Sequence, residues 1–275
     1  MTQSSRTIFI VSDGTGITAE MLGHSLLTQF EGIEFTQVTL PFIDTLEKVD
    51  SCVARINEEA RSGNGRPVVF TTLVNTEIRE AIRRSQALVL DFFEMFLDPL
   101  EAELGVKSTH TIGRSHSAKD QKEYSNRIEA INFALAHDDG MPTREMDKAD
   151  VILVGVSRSG KTPTCLYMAL QFGIKAANVP LTPDDFDRGI LPAPLEPWIG
   201  KLYGLTIAPD RLAEIRNERR PDSRYANHEN CRYEVEQAER LMRKYGIPWL
   251  SSTTRSIEEI ATKILQDVKL ERRVY

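Results

Sequence analysis

A glycine-bounded loop at residues 155–162, GVSRSGKT, constrains this chain more than any other stretch of its sequence. The loop matches the pattern G-x-x-x-x-G-K-[ST], which in phosphate-binding loops follows a strand and opens a helix. A largely apolar run at residues 150–154 stands directly before it, and apolar residues with a helical period follow at 162–172. This order predicts a strand, a phosphate-binding turn and a helix of a parallel α/β sheet.

Each part of the loop has an expected role in binding a nucleotide. Lys161 would reach the outer phosphate oxygens as a catalytic cation, and the Thr162 hydroxyl would ligate Mg²⁺. Backbone N–H groups of the loop and the helix dipole can surround a diphosphate; the residues concerned are Gly155, Val156, Ser157, Arg158, Ser159 and Gly160. The alternative is a glycine turn that only opens a helix. The pattern fits ADP and ATP equally well.

Strands and helices alternate through the first hundred residues. Apolar runs predict strands at 7–12, 35–40, 67–72 and 87–92, and apolar residues at three- to four-residue spacing predict helices at 17–30, 43–60, 76–84 and 94–104. This order predicts a doubly wound parallel sheet. The polar stretch 105–120 predicts a linker or a functional segment. A helix at 121–136 follows, and we expect an N-terminal α/β domain over residues 1–145.

The second half begins again with a strand and carries the glycine loop. Further patterns predict a helix at 162–172, a strand at 174–180, a polar segment at 182–197, helices at 210–219 and 225–245, and a strand at 247–250. Ser256 and Glu259 fit a capping box that opens a last helix. We therefore expect a P-loop kinase-like α/β domain over residues 146–275.

Phosphoryl transfer also needs an acid that holds the metal shell or accepts a proton. Asp184 and Asp185 follow the strand after the loop's helix, and Asp187 comes shortly after them. Carboxyl ends of strands meet at one edge of an open α/β sheet, so Asp184 and Asp185 are the predicted catalytic acids beside Lys161. A solvated acidic loop is the alternative, because Asp favours turns. Asp91 ends an earlier apolar run in the other half and is interpreted as a chance likeness to a metal site.

Four arginines cluster around a proline between the two predicted helices of the second half: Arg216, Arg219, Arg220 and Arg224. On a mobile helical segment they could close over phosphates and neutralise charge in the transition state. The alternative is a solvated face with helical ion pairs to Glu214 and Glu218. The sequence leaves both interpretations open.

Two weaker signals lie outside the glycine loop. The turn at 12–18 carries two glycines and three hydroxyls and could hold an anion or a phosphorylated side chain, although a lone glycine turn is weak evidence. His110, His116 and His137 would need convergent partners to bind a metal. A loop position or a helix cap is the simpler interpretation of each histidine.

Composition narrows the classes of partner. With 34 Lys and Arg against 40 Asp and Glu the net charge is −6, so the chain as a whole repels nucleic acid and anionic membranes. No stretch approaches the ~20 apolar residues that span a bilayer, and the first residues lack the apolar core of a signal peptide. Three widely spaced cysteines form no C-x-x-C, which excludes a disulfide framework and a zinc ribbon. We expect a soluble, cytoplasmic protein whose anion site is local.

Several segments, in this order, resemble one bacterial family over nearly the whole chain. They are SDGTGITAE at 12–20, INFALAHDDG at 131–140, GVSRSGKTPT at 155–164, QFGIKAANVPL at 171–181, RLAEIRNERRPDSRYA at 211–226 and EEIATKIL at 258–265. With these segments the chain resembles the phosphoenolpyruvate synthase regulatory proteins, which are relatives of the pyruvate, phosphate dikinase regulatory proteins.

The resemblance implies a bifunctional enzyme, an ADP-dependent serine/threonine protein kinase and phosphate-dependent phosphorylase. Such a protein uses ADP to phosphorylate a threonine of phosphoenolpyruvate synthase, and removes that phosphate with inorganic phosphate, which releases diphosphate. The family's nucleotide-binding loop matches residues 155–162 without departure, whereas no catalytic base is carried over. Residue patterns alone also allow a P-loop kinase of small metabolites or a nucleotide-sensing module without turnover. They leave the oligomeric state open, a homodimer included.

Overall fold

Two parallel sheets of four strands each organise the residues that the computed structural model describes, 4–62, 65–109, 121–139 and 145–273. The chain divides into two compact units, Met1–Ser117 and Ala118–Tyr275, with one sheet in each. The predicted α/β class, with a parallel sheet in each half of the chain, is confirmed. Across the described ranges, no helix is long and apolar enough to span a membrane.

The first unit alternates strands and helices as its sequence predicts. Its strands are β1 (Ser4–Val11), β2 (Ile33–Leu40), β3 (Val68–Thr71) and β4 (Leu88–Asp91), and its helices are α1 (Ile17–Leu27), α2 (Leu46–Arg61), α3 (Thr76–Ile82) and α4 (Phe92–Leu104). The strands pair in parallel in the order β2-β1-β3-β4. The chain therefore leaves β1 toward one edge of the sheet and later returns to its other side.

Side chains of β1 alternate between two cores. Ile8 and Ile10 pack with Ala19 of α1, whereas Phe9 and Val11 pack with residues of α2 and α3. Successive side chains of a strand point to opposite faces, so the two cores lie on opposite faces of the sheet. Full burial of each such side chain contributes about 1.5–3 kcal/mol to folding, which explains the apolar run at the start of the sequence.

The second unit contains the strands β5 (Val151–Gly155), β6 (Ala176–Pro180), β7 (Leu202–Thr206) and β8 (Trp249–Ser251), in the parallel order β6-β5-β7-β8. Its helices are α5 (Gln121–Ala136), α6 (Lys161–Phe172), α7 (Pro183–Arg188), α8 (Pro209–Arg219), α9 (His228–Lys244) and α10 (Ile257–Val268). Every residue of β5 is buried, as expected for a central strand of a parallel sheet. The predicted capping box of Ser256 and Glu259 is confirmed at the start of α10.

Strand β7 corrects the sequence analysis, which predicts no strand between the polar segment and the helix at 210–219. All of Leu202–Thr206 is buried, and the strand pairs with both β5 and β8. The run is short and contains Gly204, and an internal glycine weakens the apolar signal of a strand. Here the glycine is needed, because a Cβ on Gly204 would lie 2.0 Å from the sulfur of Met242 in α9.

The boundary between the units also differs from the predicted position at residue 145. The structure divides the chain after Ser117, so α5 belongs to the second unit. Its buried Ala130 and Ala134 share a core with Met168 of α6. The periodicity of α5 could not reveal this partner, because the buried residues that share a core with α6 are small alanines.

Candidate active site

The predicted phosphate-binding loop joins β5 to α6 at the carboxyl edge of the second sheet. Gly155 has a φ of 149°, and a Cβ there would lie 2.1 Å from the carbonyl oxygen of Leu205 in β7. Gly160 has a φ of 92° and directly precedes α6. Both positions therefore need glycine, the first because β7 lies too close and the second because its backbone is left-handed.

The start of α6 keeps hydrogen-bond donors for an anion. Within the described residues, no side chain caps this helix, so its first backbone N–H groups are free to bind a ligand. The Ser159 hydroxyl is fully buried in the loop and has no hydrogen-bond partner among the residues that the structure describes. A buried donor without a partner is costly, and a phosphate oxygen would satisfy it.

Lys161 is the first residue of α6 and is only 4% exposed. Its Nζ donates a hydrogen bond of 2.8 Å to the carbonyl oxygen of Val156 within the loop. Burial lowers the pKa of Lys161 to about 8, and the nearby carboxylate of Asp139 opposes this shift. A phosphate oxygen in the loop would supply the counter-charge that this buried ammonium needs.

Thr162 belongs to a hydrogen-bonded group that brings an acid to the loop. Its Oγ1 donates to Asp138 Oδ1 at 2.8 Å, and Asn178 Nδ2 donates to the same carboxylate oxygen at 2.5 Å and to Thr162 Oγ1 at 2.9 Å. Asn178 lies on β6, and its backbone N–H donates to the carbonyl oxygen of His137 at 2.9 Å. This bond fixes the end of α5 against the sheet and so positions the carboxylate of Asp138.

A cavity of about 490 Å³ opens over these groups. Its lining combines carboxylates with cationic side chains and the loop itself: Asp138, Asp139, Ser157, Arg158, Gly160, Lys161, Thr162, Pro163 and Arg219. A lining that contains both cations and carboxylates suits a phosphate chain that is bound together with a metal ion. Most members of the predicted loop therefore line one cavity.

Arg216 ties the loop to α9 rather than covering it as a mobile lid. Its side chain is fully buried, and its Nη2 donates to the carbonyl oxygen of Ser157 at 3.1 Å and to Glu234 Oε2 at 2.7 Å. Its Nη1 donates to the carbonyl oxygen of Tyr225 at 3.1 Å, and the guanidinium lies 4.1 Å from the centre of that ring. The Tyr225 hydroxyl in turn lies 3.0 Å from Ser157 Oγ. The backbone and the side chain of Ser157 are both held from outside the loop.

The remaining arginines of the predicted cluster separate. Arg219 lies one turn after Arg216 on α8 and lines the cavity. Arg220 and Arg224 are exposed and are absent from the described lining of the cavity. The structure therefore brings one arginine of the cluster to the cavity and one behind the loop.

The predicted catalytic acids occupy a different place from the cavity. Asp185 is buried in the capping box of α7, where its Oδ2 accepts hydrogen bonds from the backbone N–H and the hydroxyl of Thr182 at 2.9 and 2.7 Å. Asp184 is exposed in the first turn of the same helix. Neither residue belongs to the described cavity lining. The strand-end rule located the correct edge of the sheet, but a local capping role holds Asp185 there.

Asp138 and Asp139 are the acids that sequence reasoning missed. They lie two and three residues after Ala136, the last residue of α5, where the helix dipole disfavours negative charge. Two consecutive acids at a helix carboxyl end are a signal that something other than helix stability keeps them. With that physical rule, the HDDG segment could have been connected to a cation site.

The weaker candidates of the sequence have structural explanations where they are described. His137 is buried and stacks on Phe133, with its Nδ1 2.8 Å from the Phe133 carbonyl oxygen. In the described ranges, no group of three or more His, Cys, Asp or Glu side chains could hold a metal ion. His110 and His116 lie outside the described residues.

The glycine turn of the first unit is built around hydrogen bonds of its own. Asp13 Oδ2 accepts the backbone N–H of Val74 at 2.8 Å, and burial raises the pKa of this carboxyl group. Asp91 caps α4, where its Oδ1 accepts the N–H of Glu94 at 3.0 Å. Asp13 therefore connects the turn to the segment after β3, and Asp91 joins the end of β4 to the start of α4.

Comparison with known proteins gives one consistent result. A family model described as kinase/pyrophosphorylase matches residues 8–265. A protein of Janthinobacterium sp. (strain Marseille) is 61% identical over 268 residues, which cover 98% of this chain and 95% of the relative. A protein of Cupriavidus pinatubonensis is 60% identical over 272 residues, 99% of this chain and 90% of the relative. Both relatives carry the provisional name phosphoenolpyruvate synthase regulatory protein.

Proposed function

This chain belongs to the kinase/pyrophosphorylase family, and from that premise we propose that it is a bifunctional regulatory phosphotransferase acting on phosphoenolpyruvate synthase. In one direction it transfers the β-phosphoryl group of ADP to a threonine of the synthase. In the other it transfers that group from the phosphothreonine to inorganic phosphate. The names of the relatives support the target, and the family description supports a kinase and a phosphorolytic activity.

One observation carries the proposal: the glycine loop, its lysine and two carboxylates converge on one cavity. In the kinase direction the threonine oxygen attacks the β-phosphorus, the bond to the bridging oxygen breaks, and AMP leaves. In the reverse direction an oxygen of inorganic phosphate attacks the phosphothreonine, the threonine oxygen leaves and diphosphate forms. Both steps exchange one P–O bond for another, so one set of cations can stabilise the charge in both directions.

The donor set of the site fits Mg²⁺. Thr162 Oγ1 and the Asp138 carboxylate are hard oxygen donors in hydrogen-bond contact with each other, and Asn178 Oδ1 nearby is buried without a hydrogen-bond partner among the described residues. Magnesium commonly takes one or two carboxylates and completes its shell with phosphate oxygens and water. When bound, the ion would neutralise charge on the phosphate chain. Asp138 would hold its shell together with Thr162.

Asp139 is the proposed proton acceptor for the threonine hydroxyl. It lies at the cavity and is exposed, and its Oδ1 lies 3.5 Å from Asn178 Nδ2, whereas Asp138 accepts shorter bonds of 2.8 and 2.5 Å from Thr162 and Asn178. A general base must reach the substrate proton and must be free of strong competing donors. We therefore replace the sequence candidates Asp184 and Asp185 in this role with Asp139.

Two of the finer structural assignments belong to the same proposal. The strand order and the two cores support a doubly wound first unit, and the loop between β5 and α6 supports a P-loop kinase-like second unit. Lys161 and Arg158 would bind the phosphate chain of ADP. The net charge of −6 supports partners other than nucleic acid.

The deciding experiment uses the synthase and ADP labelled at the β-phosphoryl group. We expect label on a threonine of the synthase, and release of labelled diphosphate when inorganic phosphate is then added. Lys161→Ala should remove both directions, because both need the outer phosphate oxygens held. Absence of label on a folded synthase would contradict the proposal. Consumption of nucleotide with a small metabolite and no protein target would instead indicate a metabolite kinase.

A matched pair of variants on α8 tests the role of the cavity arginine. Arg219→Ala should raise the KM for inorganic phosphate roughly tenfold, because a charge-assisted contact to phosphate is lost. Arg211→Ala, at the other end of the same helix and ion-paired with Glu214 at 2.9 Å, is the control and should leave the KM unchanged. Equal effects of the two substitutions would remove Arg219 from the phosphate site.

A further inference from the structure

Arg216 and Glu234 form a buried ion pair in contact with the phosphate-binding loop. Nη2 of Arg216 lies 2.7 Å from Glu234 Oε2, and Arg216 is fully buried. Two apolar side chains of similar volume would often stabilise the protein as well or better, because burial removes both charges from water. The same Nη2 also donates to the carbonyl oxygen of Ser157. Contact with the loop therefore gives this ion pair a use other than stability.

The peptide between Ser157 and Arg158 is held in an uncommon conformation. Arg158 has a left-handed backbone with a φ of 75°, which costs free energy for a residue with a Cβ and persists only where its surroundings hold it. No peptide bond of the described residues is cis, and in a trans peptide the C=O and N–H groups point in opposite directions. Because Arg216 binds the carbonyl oxygen of Ser157, the N–H of Arg158 is directed to the other side of the peptide.

Hydrogen-bond donors in this part of the loop lack acceptors. Among the described residues nothing accepts the backbone N–H of Arg158, and the buried Ser159 hydroxyl next to it is also without a partner there. Ser157 and Arg158 both line the cavity over the loop. Backbone N–H groups of a turn that contains a left-handed residue can form a concave anion site. A phosphate group in the cavity would supply the missing acceptors.

Tyr225 contacts the side chain of Ser157, just as Arg216 contacts its backbone. The Tyr225 hydroxyl lies 3.0 Å from Ser157 Oγ, and the guanidinium of Arg216 lies 4.1 Å from the centre of the Tyr225 ring. When the phenol donates to Ser157 Oγ, the hydrogen of the Ser157 hydroxyl is free to point to a phosphate oxygen in the cavity. Hydrogen bonds in such a chain strengthen one another.

We propose that Arg216 and Tyr225 are positioning residues for phosphate binding. Arg216 fixes the peptide so that the Arg158 N–H donates to a phosphate group of ADP or to inorganic phosphate, and Tyr225 orients the Ser157 hydroxyl toward the same group. Both positioning residues lie outside the loop motif, 59 and 68 residues after Ser157. The inference rests on the proposed function, because it concerns how the same site holds its phosphate ligands.

Titration calorimetry with ADP tests the role of Tyr225. Tyr225→Phe removes only the hydroxyl and keeps the ring beside Arg216, so ADP should bind roughly three- to tenfold more weakly. Ser157→Ala should weaken the binding of ADP about tenfold, because a donor to a charged phosphate is lost. Adding Tyr225→Phe to Ser157→Ala should change the dissociation constant no further, because the hydroxyl through which Tyr225 acts is already absent.

Tyr233→Phe is the matched control for the loss of a tyrosine hydroxyl. Tyr233 lies on α9, and its hydroxyl is 3.4 Å from Asp187 Oδ1 rather than at the loop. This variant should bind ADP as the unmodified protein does. Melting temperatures are measured for every variant, and a merely structural role of Tyr225 would weaken ADP binding equally with and without the Ser157 hydroxyl.

Nuclear magnetic resonance tests the role of the Arg158 N–H directly. On addition of inorganic phosphate, the amide proton of Arg158 should move downfield, because it then donates to an anion. An amide that phosphate saturates without moving would overturn the backbone part of the inference.

The outcomes separate this inference from the proposed function. Unchanged ADP affinity in Tyr225→Phe would overturn the inference, and so would losses that multiply in the double variant. The proposed function is judged separately, by transfer of label to the synthase. If the ADP affinities follow the expected pattern but no label reaches the synthase, the inference stands and the proposed function fails.

Discussion

The buried ammonium of Lys161 makes ADP binding sensitive to pH in a defined range. In the free protein burial holds the pKa of this group to about 8, below its ordinary 10.5. Phosphate oxygens in the loop would stabilise the charged form and raise the pKa in the complex. The complex therefore holds a proton that the free protein has lost above pH 8, and binding must take that proton up. Affinity for ADP should consequently fall as the pH rises through 8.

The size of the effect follows from this pKa. At pH 7 about nine-tenths of the free lysine is charged, and at pH 9 about one-tenth is. The dissociation constant of ADP should therefore rise about tenfold between these pH values, which corresponds to ~1.4 kcal/mol of binding free energy.

Titration calorimetry measures both consequences. Repeating the titration in buffers of different ionisation enthalpy gives the number of protons taken up, which should be about 0.1 at pH 7 and about 0.9 at pH 9. Asp139→Asn removes a carboxylate that raises the pKa of Lys161, so the midpoint of the affinity profile should move to lower pH. An affinity that is constant from pH 7 to 9, with no proton uptake, would refute the charge assignment of Lys161.

Three further substitutions test the framework of the site. Gly155→Ala should destabilise the protein by roughly 3 kcal/mol or more in urea denaturation, because its Cβ would lie 2.1 Å from a backbone oxygen; stability within ~0.5 kcal/mol of the parent would refute the contact. Arg216→Met should lower the free energy of unfolding by about 3–5 kcal/mol, because it leaves Glu234 charged and buried without its partner. Adding Glu234→Gln should recover part of that loss, and additive effects of the two substitutions would mean that the pair is uncoupled. Asp138→Asn should weaken the binding of ADP in the presence of Mg²⁺ about 10–100-fold. The dissociation constant of ADP is measured with and without Mg²⁺, and an unchanged effect of Mg²⁺ would place the ion elsewhere.

Local patterns predicted most of the fold because each was strong on its own. The strand before the glycine loop and the helix after it agree with the structure to within one residue at each end. The capping box at Ser256 was predictable for the same reason, since its two partners are three residues apart. Strand β7 was not predictable, because this short segment is held as a strand by distant elements: it pairs with β5 and β8, and α9 packs on its glycine.

The site shows the same division between local and distant information. The proposed roles of Lys161 and Thr162 follow from one continuous motif, and both residues line the cavity. Asp138 reaches Thr162 only because β6 holds the end of α5, a contact between segments 24 or more residues apart. Arg216 looked like a solvated or lid arginine because nothing in its helix reveals the carboxylate of Glu234, 18 residues later.

The close contact between Gly155 and β7 means that the sequence requirements of this site extend beyond the loop motif itself. The carbonyl oxygen of Leu205 lies so close to Gly155 that no side chain fits at this position, so the backbone of a neighbouring strand limits which residue the loop can contain there. Grafting residues 155–162 onto another sheet would transfer the sequence of the motif without strand β7, whose backbone is the reason that its first position must be glycine. The loop and its adjacent strand therefore form one structural unit, in which the position of the strand decides which residue the loop can hold at 155.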